Sequence, residues 1–293
     1  MPGLHAMQER EGLSGLRVVE VGRSPAAAMA GKVLADLGAS VVKVEPPDGD
    51  PLRSWGPISG SEPPLEPAPM FFHLNAGKRS LVLDLSQPAG VSALVEASAA
   101  CELLVHDFPP ALMPGLGLDY ARLSKRNPAL VMASITPFGL SGPYRDYQAS
   151  ELTLIHGGGL GWLCPDATPP PERPPLRPFG HHAHLQAGLH AALTGLALVR
   201  SARISGQGDH VDLSIMAAVA GQLGRHFASA TYPGVEETRL GRNVTAPATY
   251  FPCKDGVLYL IAVEQDQWNR LMEFMGSPEW SHSERFGSTL LRG

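Results

Sequence analysis

Two short β-branched runs, LRVVEVG (16–22) and SVVKVE (40–45), flank PAAAMAGKVLADLG (25–38), which has helical apolar spacing and a closing glycine. Strand, helix and strand in so short a span make a βαβ unit, and a helical crossover makes its two strands parallel. The pattern recurs as SLVLDL (80–85), an alanine-rich helical segment from Ala89 to Ala99, CELLVHDF (101–108), a helical piece around Ala121, and ALVMASI (129–135). Residues 1 to about 140 are therefore expected to form an open, mainly parallel α/β sheet.

Several common sites are excluded. The first strand-to-helix turn, VGRSPAAAMAG, lacks the G-x-G-x-x-G spacing that lets backbone approach a pyrophosphate. P-loop, G-x-S-x-G and H-E-x-x-H patterns are also missing from the 293 residues. With 17% charged residues and a net charge of −5, the chain has no nucleic-acid footprint. Cys101, Cys164 and Cys253 fit no metal or redox spacing, so free, mostly buried thiols and no metal site are expected. The first residues carry no basic start followed by an apolar run, and no stretch of 18 apolar residues occurs; a soluble, cytoplasmic protein is expected.

The segment CPDATPPPERPPLRP (164–178) is too proline-dense for helix or central strand and is expected as a surface connection. LQAGLHAALTGLALVRSAR (185–203) has the spacing of a buried helix, and GQGDHVDLSIMAAVAGQL (206–223) suggests a turn, a short strand and another helix. YFPCKDGVLYLIAV, from Tyr250, is expected as a β-hairpin with Asp255 and Gly256 in its turn. The expected division is a large α/β domain over residues 1–200, with a connecting helix and the start of a smaller domain over 201–293.

The order of motifs resembles the family III CoA transferases, the CaiB/BaiF superfamily that includes formyl-CoA transferase, carnitine CoA-transferase and α-methylacyl-CoA racemase. The residues that carry the resemblance are LSGLRVVEVG, LADLGASVVKVEPPDGDPLR (34–53), LNAGKRSLVLDL (74–85), LLVHDFPP, NPALVMASITPFGLSGPYRD (127–146) and RISGQGDHVDLSI (203–215). The resemblance implies a Rossmann-like large domain, a smaller second domain, and two chains threaded as linked rings, either a homodimer or a heteromer with a complete family member. It implies coenzyme A or an acyl-CoA as substrate, a carboxylic acid as acceptor, and no permanently bound cofactor. RFGSTLLRG stops where family members continue with a segment that returns to the large domain, so a truncated chain or an altered interlock is expected.

By this resemblance Arg53, Asn75, Lys78, Arg79 and Phe108 hold CoA. Taken alone, Lys78 and Arg79 read equally as a solvated turn, and Arg53 as a surface ion pair with Asp48. The family's E-N-F-x-P-G turn stands here as HDFPPA, with Asp107 for Asn and Ala111 for Gly, and Gly115 lies where a nucleotide-contacting arginine often occurs; weak CoA affinity is expected.

The transferases use an aspartate that opens D-x-x-x-G at a helix start, and His184 stands in that place. Imidazole cannot form the same anhydride. Glu151 aligns with an acidic residue before the glycine-rich loop GGGLG (157–161), whose N–H groups are candidate oxyanion donors. Its predecessor, a histidine in the racemases, is Ser150. A Glu151/His184 pair can move a proton; equally, Glu151 is a capping or ion-paired structural acid and His184 a satisfied helix-start histidine. Leu152 and Leu154 lead us to expect a raised Glu151 pKa. Three activities follow: a CoA transferase moving CoA between carboxylic acids, a non-catalytic CoA-binding partner subunit, or an acyl-CoA racemase or isomerase using Glu151 and His184.

Overall fold

The computed structural model describes residues 12–55, 68–163, 174, 176–232 and 247–292. Most of the proline-dense segment, together with Cys164, lies outside them. The chain divides into two compact units, residues 1–160 with 177–223, and residues 161–176 with 224–293.

The larger unit is a six-stranded parallel sheet made of β1 (Arg17–Val21), β2 (Ser40–Glu45), β3 (Arg79–Val82), β4 (Leu103–His106), β5 (Val131–Thr136) and β6 (His210–Ser214). Their spatial order is β3-β2-β1-β4-β5-β6, that of dinucleotide-binding sheets, which places the topological switch between β1 and β4. The crossovers carry α1 (Pro25–Asp36), α2 (Pro69–Asn75), α3 (Pro88–Ala99), α4 (Leu112–Gly115), α5 (Tyr120–Arg126), α6 (Glu151–Gly157) and α8 (His182–Ser205), and α9 (Ile215–Gly221) follows β6; the short α7 (Leu160–Leu163) begins at the boundary, with residues 161–163 in the smaller unit.

The boundary expected at residue 200 is overturned. It falls inside α8, and β6, assigned from sequence to the second domain, pairs with β5 along Met132–Thr136. A five-residue strand with few apolar residues gives no local sign of its partner; the crossover through the 24-residue α8 decides it.

Apolar residues fill both faces of the sheet. One cluster joins β1, β4 and β5 to α1 and α8 through Ala26, Ala30, Leu103, Ile135, Ala187 and Ala191. The other packs Val19, Leu104 and Met132 against Leu94, Leu118 and Leu123. Small residues let α1 and α8 approach closely. A Cβ on Gly188 would come within 2.5 Å of the Ala26 carbonyl oxygen and 2.7 Å of Met29 Cβ, so this glycine lets the second turn of α8 pack directly on α1. Ser134 Oγ on β5 lies 2.6 Å from His106 Nε2 and 2.8 Å from His210 Nε2, tying three strands together. His106 Nδ1 accepts from the Phe108 N–H, so in the neutral ring Nε2 donates to Ser134, whose hydroxyl then donates to His210. Burial holds the His106 pKa down to about 3.

The smaller unit contains α10 (Gly224–Thr231), the antiparallel pair β7 (Ala248–Pro252) and β8 (Val257–Ile261), α11 (Gln265–Phe274) and α12 (Thr289–Arg292). The hairpin agrees with the sequence expectation. Trp268 of α11 stacks on Phe286 at 5.6 Å, and the Arg292 guanidinium lies 4.8 Å from its ring. Tyr250, Phe251, Val257, Leu258, Tyr259 and Ile261 of the hairpin are exposed. Cys101 is buried, which pushes its thiol up to about 12, whereas Cys253 is exposed. Among the described residues no helix is long and apolar enough to cross a membrane.

Candidate functional site

Glu151 opens α6. Ser150 is the N-cap, and a reciprocal capping box with Thr153 fixes the helix start, with Ser150 N–H donating to Thr153 Oγ1 at 2.8 Å. The carboxylate crosses to the start of α8. There the Ala183 N–H donates to Oε1 at 2.7 Å, and Oε2 lies 2.6 Å from His184 Nδ1. His181, at the N-cap of α8, makes no capping bond with its side chain, so Glu151 supplies from another helix the anion that this terminus favours. The pair is largely shielded, with the Glu151 side chain 10% and the His184 side chain 15% exposed. The His181 ring stacks on Trp55 at 5.1 Å and meets the His184 ring edge-on at 6.3 Å.

The expected rise in the Glu151 pKa is overturned. Burial pushes the carboxyl up, but the hydrogen bonds from His184 and the Ala183 N–H outweigh it and hold the group below the usual carboxylate value. Apolar neighbours in sequence do not reveal partners supplied from 32 and 33 residues away. The glycine loop also differs from expectation. Gly158 N–H bonds to the Leu154 carbonyl and Gly159 N–H to that of His156, so both donors terminate α6 and neither is free for an oxyanion.

Arg53, Asn75, Lys78 and Arg79 do come together, lining one cavity of about 200 Å³ beside β2 and β3. They form an ion-pair network rather than an array of open cations. Arg53 forks onto Glu45, not Asp48, with bonds of 2.8 and 3.0 Å. Burial pushes the Glu45 carboxyl up, but Arg53 and the Ser80 hydroxyl bring it down to about 2. Lys78 is neither a solvated turn residue nor an exposed cation. Its side chain is 2% exposed, and its amine binds Glu20 at 2.6 Å, the Ala28 carbonyl at 2.7 Å and Asn75 Oδ1 at 2.9 Å. Burial lowers its pKa to about 8. Lys43 joins the same group, 2.8 Å from Glu20 and 2.5 Å from Asp50. Gly31 makes room for it, because a Cβ there would fall 2.0 Å from Glu20 Oε2. Arg79 is exposed and donates to Ser40 Oγ.

Phe108 is elsewhere, in a cavity of about 130 Å³ at the carboxyl ends of β1, β2 and β4, with Gly22, Arg23, Pro46, Asp84 and Ser86. These neighbours were missed in the sequence. The available signal was their position just after strands around the switch point, where open α/β sheets bind ligands. The neighbouring N-terminus of α1 is closed by Asp107, which accepts from the N–H groups of Arg23, Ser24 and Ala27 and from Ser24 Oγ. The chain's own carboxylate occupies the place that a pyrophosphate takes in dinucleotide-binding sheets, in accord with the absent glycine fingerprint.

The family model for CoA-transferase family III matches residues 13–292. Succinyl-CoA:(R)-benzylsuccinate CoA-transferase subunit BbsE of Thauera aromatica is 36% identical over 256 residues, spanning 85% of this chain and 61% of that protein. Succinate–glutarate CoA-transferase of Agrobacterium fabrum is 31% identical over 286 residues, 96% of this chain and 70% of the relative. The chain thus spans about two thirds of the length of these relatives. A solved CaiB/BaiF family protein of Brucella suis superimposes with a TM-score of 0.78 at 29% identity, covering 96% of this chain and 74% of its own. The parallel sheet, the crossing of α1 and α8, and a sequence match along nearly the whole length lead to one assignment: the chain belongs to CoA-transferase family III.

Proposed function

We propose that this protein moves CoA between carboxylic acids, with Glu151 and His184 acting as an acid–base pair at the thioester and not as a covalent nucleophile. The observation that carries this is the 2.6 Å contact between Glu151 Oε2 and His184 Nδ1. A carboxylate on one ring nitrogen fixes the tautomer and leaves the other nitrogen to handle a proton. In the proposed reaction the acceptor carboxylate attacks the thioester carbonyl, the C–S bond breaks, and His184 gives its proton to the departing CoA sulfur. The products of this step are a mixed anhydride and CoA thiol. His184 then takes the proton back as the sulfur attacks the acceptor's carbonyl carbon, releasing the donor acid.

The crevice around Phe108 at the switch point is the favoured place for the nucleotide end of CoA. Arg53, Asn75, Lys78 and Arg79 contribute there less as phosphate partners than as the network that holds α2 and β3, with Arg79 the most accessible cation of the four. The exposed apolar hairpin favours assembly with a second copy or a longer family member.

The test is CoA exchange followed by mass spectrometry, with acyl-CoA donors and carboxylate acceptors. Exchange is expected in the parent protein and lost in His184→Ala, with no adduct trapped by hydroxylamine or borohydride. A glutamyl-CoA adduct at Glu151 would overturn the acid–base assignment. One contact favours a second reading: the Ala183 N–H on Glu151 Oε1 is also what a purely structural cap requires. CoA binding with neither exchange nor adduct would identify a non-catalytic partner subunit, and α-proton exchange in deuterium oxide alone would identify a racemase.

A further inference from the structure

We propose that Glu151, His181 and His184 form a binding site for a divalent transition-metal ion of the zinc class. Each offers one ligand atom, and these atoms all lie within 4.8 Å of one another. Two imidazole nitrogens and one carboxylate oxygen are a donor set of zinc sites that keep three protein ligands and leave a fourth position to water or substrate. Ligand distances of about 2.0–2.2 Å put the donors of a tetrahedral site roughly 3.4 Å apart. The present separations, none above 4.8 Å, are thus within about 1.5 Å of those a tetrahedral site requires.

Two further features favour an ion over a simple stacked pair. His181 Nδ1 is buried and has no hydrogen-bond partner among the described residues, and a buried polar atom left unpaired calls for an explanation. Its ring is held in place by Trp55. The Glu151 carboxylate is likewise held, by the Ala183 N–H on Oε1, and an outer hydrogen bond of this kind is what orients a ligating carboxylate. The Arg177 guanidinium, four residues before His181, donates to the Gly180 carbonyl at 2.9 Å and is thereby engaged by the chain itself.

The cysteine spacing expected no metal; His181 and His184 stand three residues apart at the start of α8, but their third partner, Glu151, comes from α6, 30 or more residues earlier, so the full set has no local signature. The inference rests on this cluster and not on acyl-CoA chemistry. An ion would replace the proton that Glu151 and His184 share, so the metal-loaded and proton-transferring states exclude one another.

The experiment strips the full chain with a chelator and titrates it with zinc chloride by calorimetry and with cobalt(II) by visible absorption. One ion per chain is expected, with cobalt bands of a four- or five-coordinate site. His181→Ala and Glu151→Gln are each expected to weaken binding by about tenfold or more, while His182→Ala, an exposed neighbour, leaves it unchanged. Thermal melts of the metal-free variants separate lost ligands from lost folding, and His181→Gln serves where the alanine variant is unstable. Absence of binding at millimolar zinc, or binding that follows His182 rather than His181, overturns the site. Because no CoA is present, this outcome is independent of the exchange assay.

Discussion

Two long helices of the larger unit, α1 and α8, each receive a carboxylate from elsewhere in the chain, and the two ends differ in what they leave open. Asp107 reaches α1 from just past β4 and is partly buried, accepting from three backbone N–H groups and a hydroxyl. Glu151 reaches α8 from α6 and accepts from one backbone N–H, its other oxygen facing an imidazole. Burial wins at Asp107, whose pKa is raised despite its donors; the donors win at Glu151, whose pKa is lowered. The same physical device, an anion on a helix terminus, closes a possible anion site at one end and leaves a carboxylate–imidazole pair at the other.

The comparison breaks most sharply in activity. Glu151→Ala is expected to lower CoA exchange by about 10²–10⁴-fold, the usual contribution of a positioned acid–base pair, with a melting temperature close to the parent's. Calorimetric melts beside the exchange assay check both halves. A large loss of stability with unchanged exchange per folded molecule would make Glu151 the structural partner of Asp107 after all.

At the other end Asp107→Ala is expected to cost about 1–2 kcal/mol of stability, because it leaves the part-buried donors at and just before the start of α1, on Arg23, Ser24 and Ala27, without their acceptor. Urea unfolding measures it. Asp107→Asn, which restores the residue of the family's turn, is expected to cost less, although its amide N–H₂ faces backbone donors.

The smallest effect is in pH dependence, and there the two carboxylates have opposite signs. The Glu151 pKa is lowered in the folded state, so its contribution to stability is present above the unfolded value of 4.5 and is lost as pH falls below it. The Asp107 pKa is raised, so its contribution is present below the unfolded value of 3.8 and is lost as pH rises through the folded value. Comparing the parent with Glu151→Gln and with Asp107→Asn between pH 3 and 7 is expected to give slopes of opposite sign, each below about 1 kcal/mol per pH unit.

The sequence by itself determined the parallel α/β sheet, the terminal hairpin and the family. β-branched runs, helical spacing and turn residues act over a few neighbours, and a shared order of motifs is visible without coordinates. It also located Glu151 and His184 and brought Arg53, Asn75, Lys78 and Arg79 to notice. Tertiary structure alone decided what those residues do to one another. The Lys78 amine turns inward because Glu20 lies beneath it, and Arg53 is held because Glu45 ends the adjoining strand. β6 joins the main sheet because α8 carries the chain back across it. Charge balance, burial and helix termini depend on atoms distant in sequence, so the direction of the Glu151 pKa and the approach of His181 to its two partners follow from the packing of α6 and α8, not from the residues beside them.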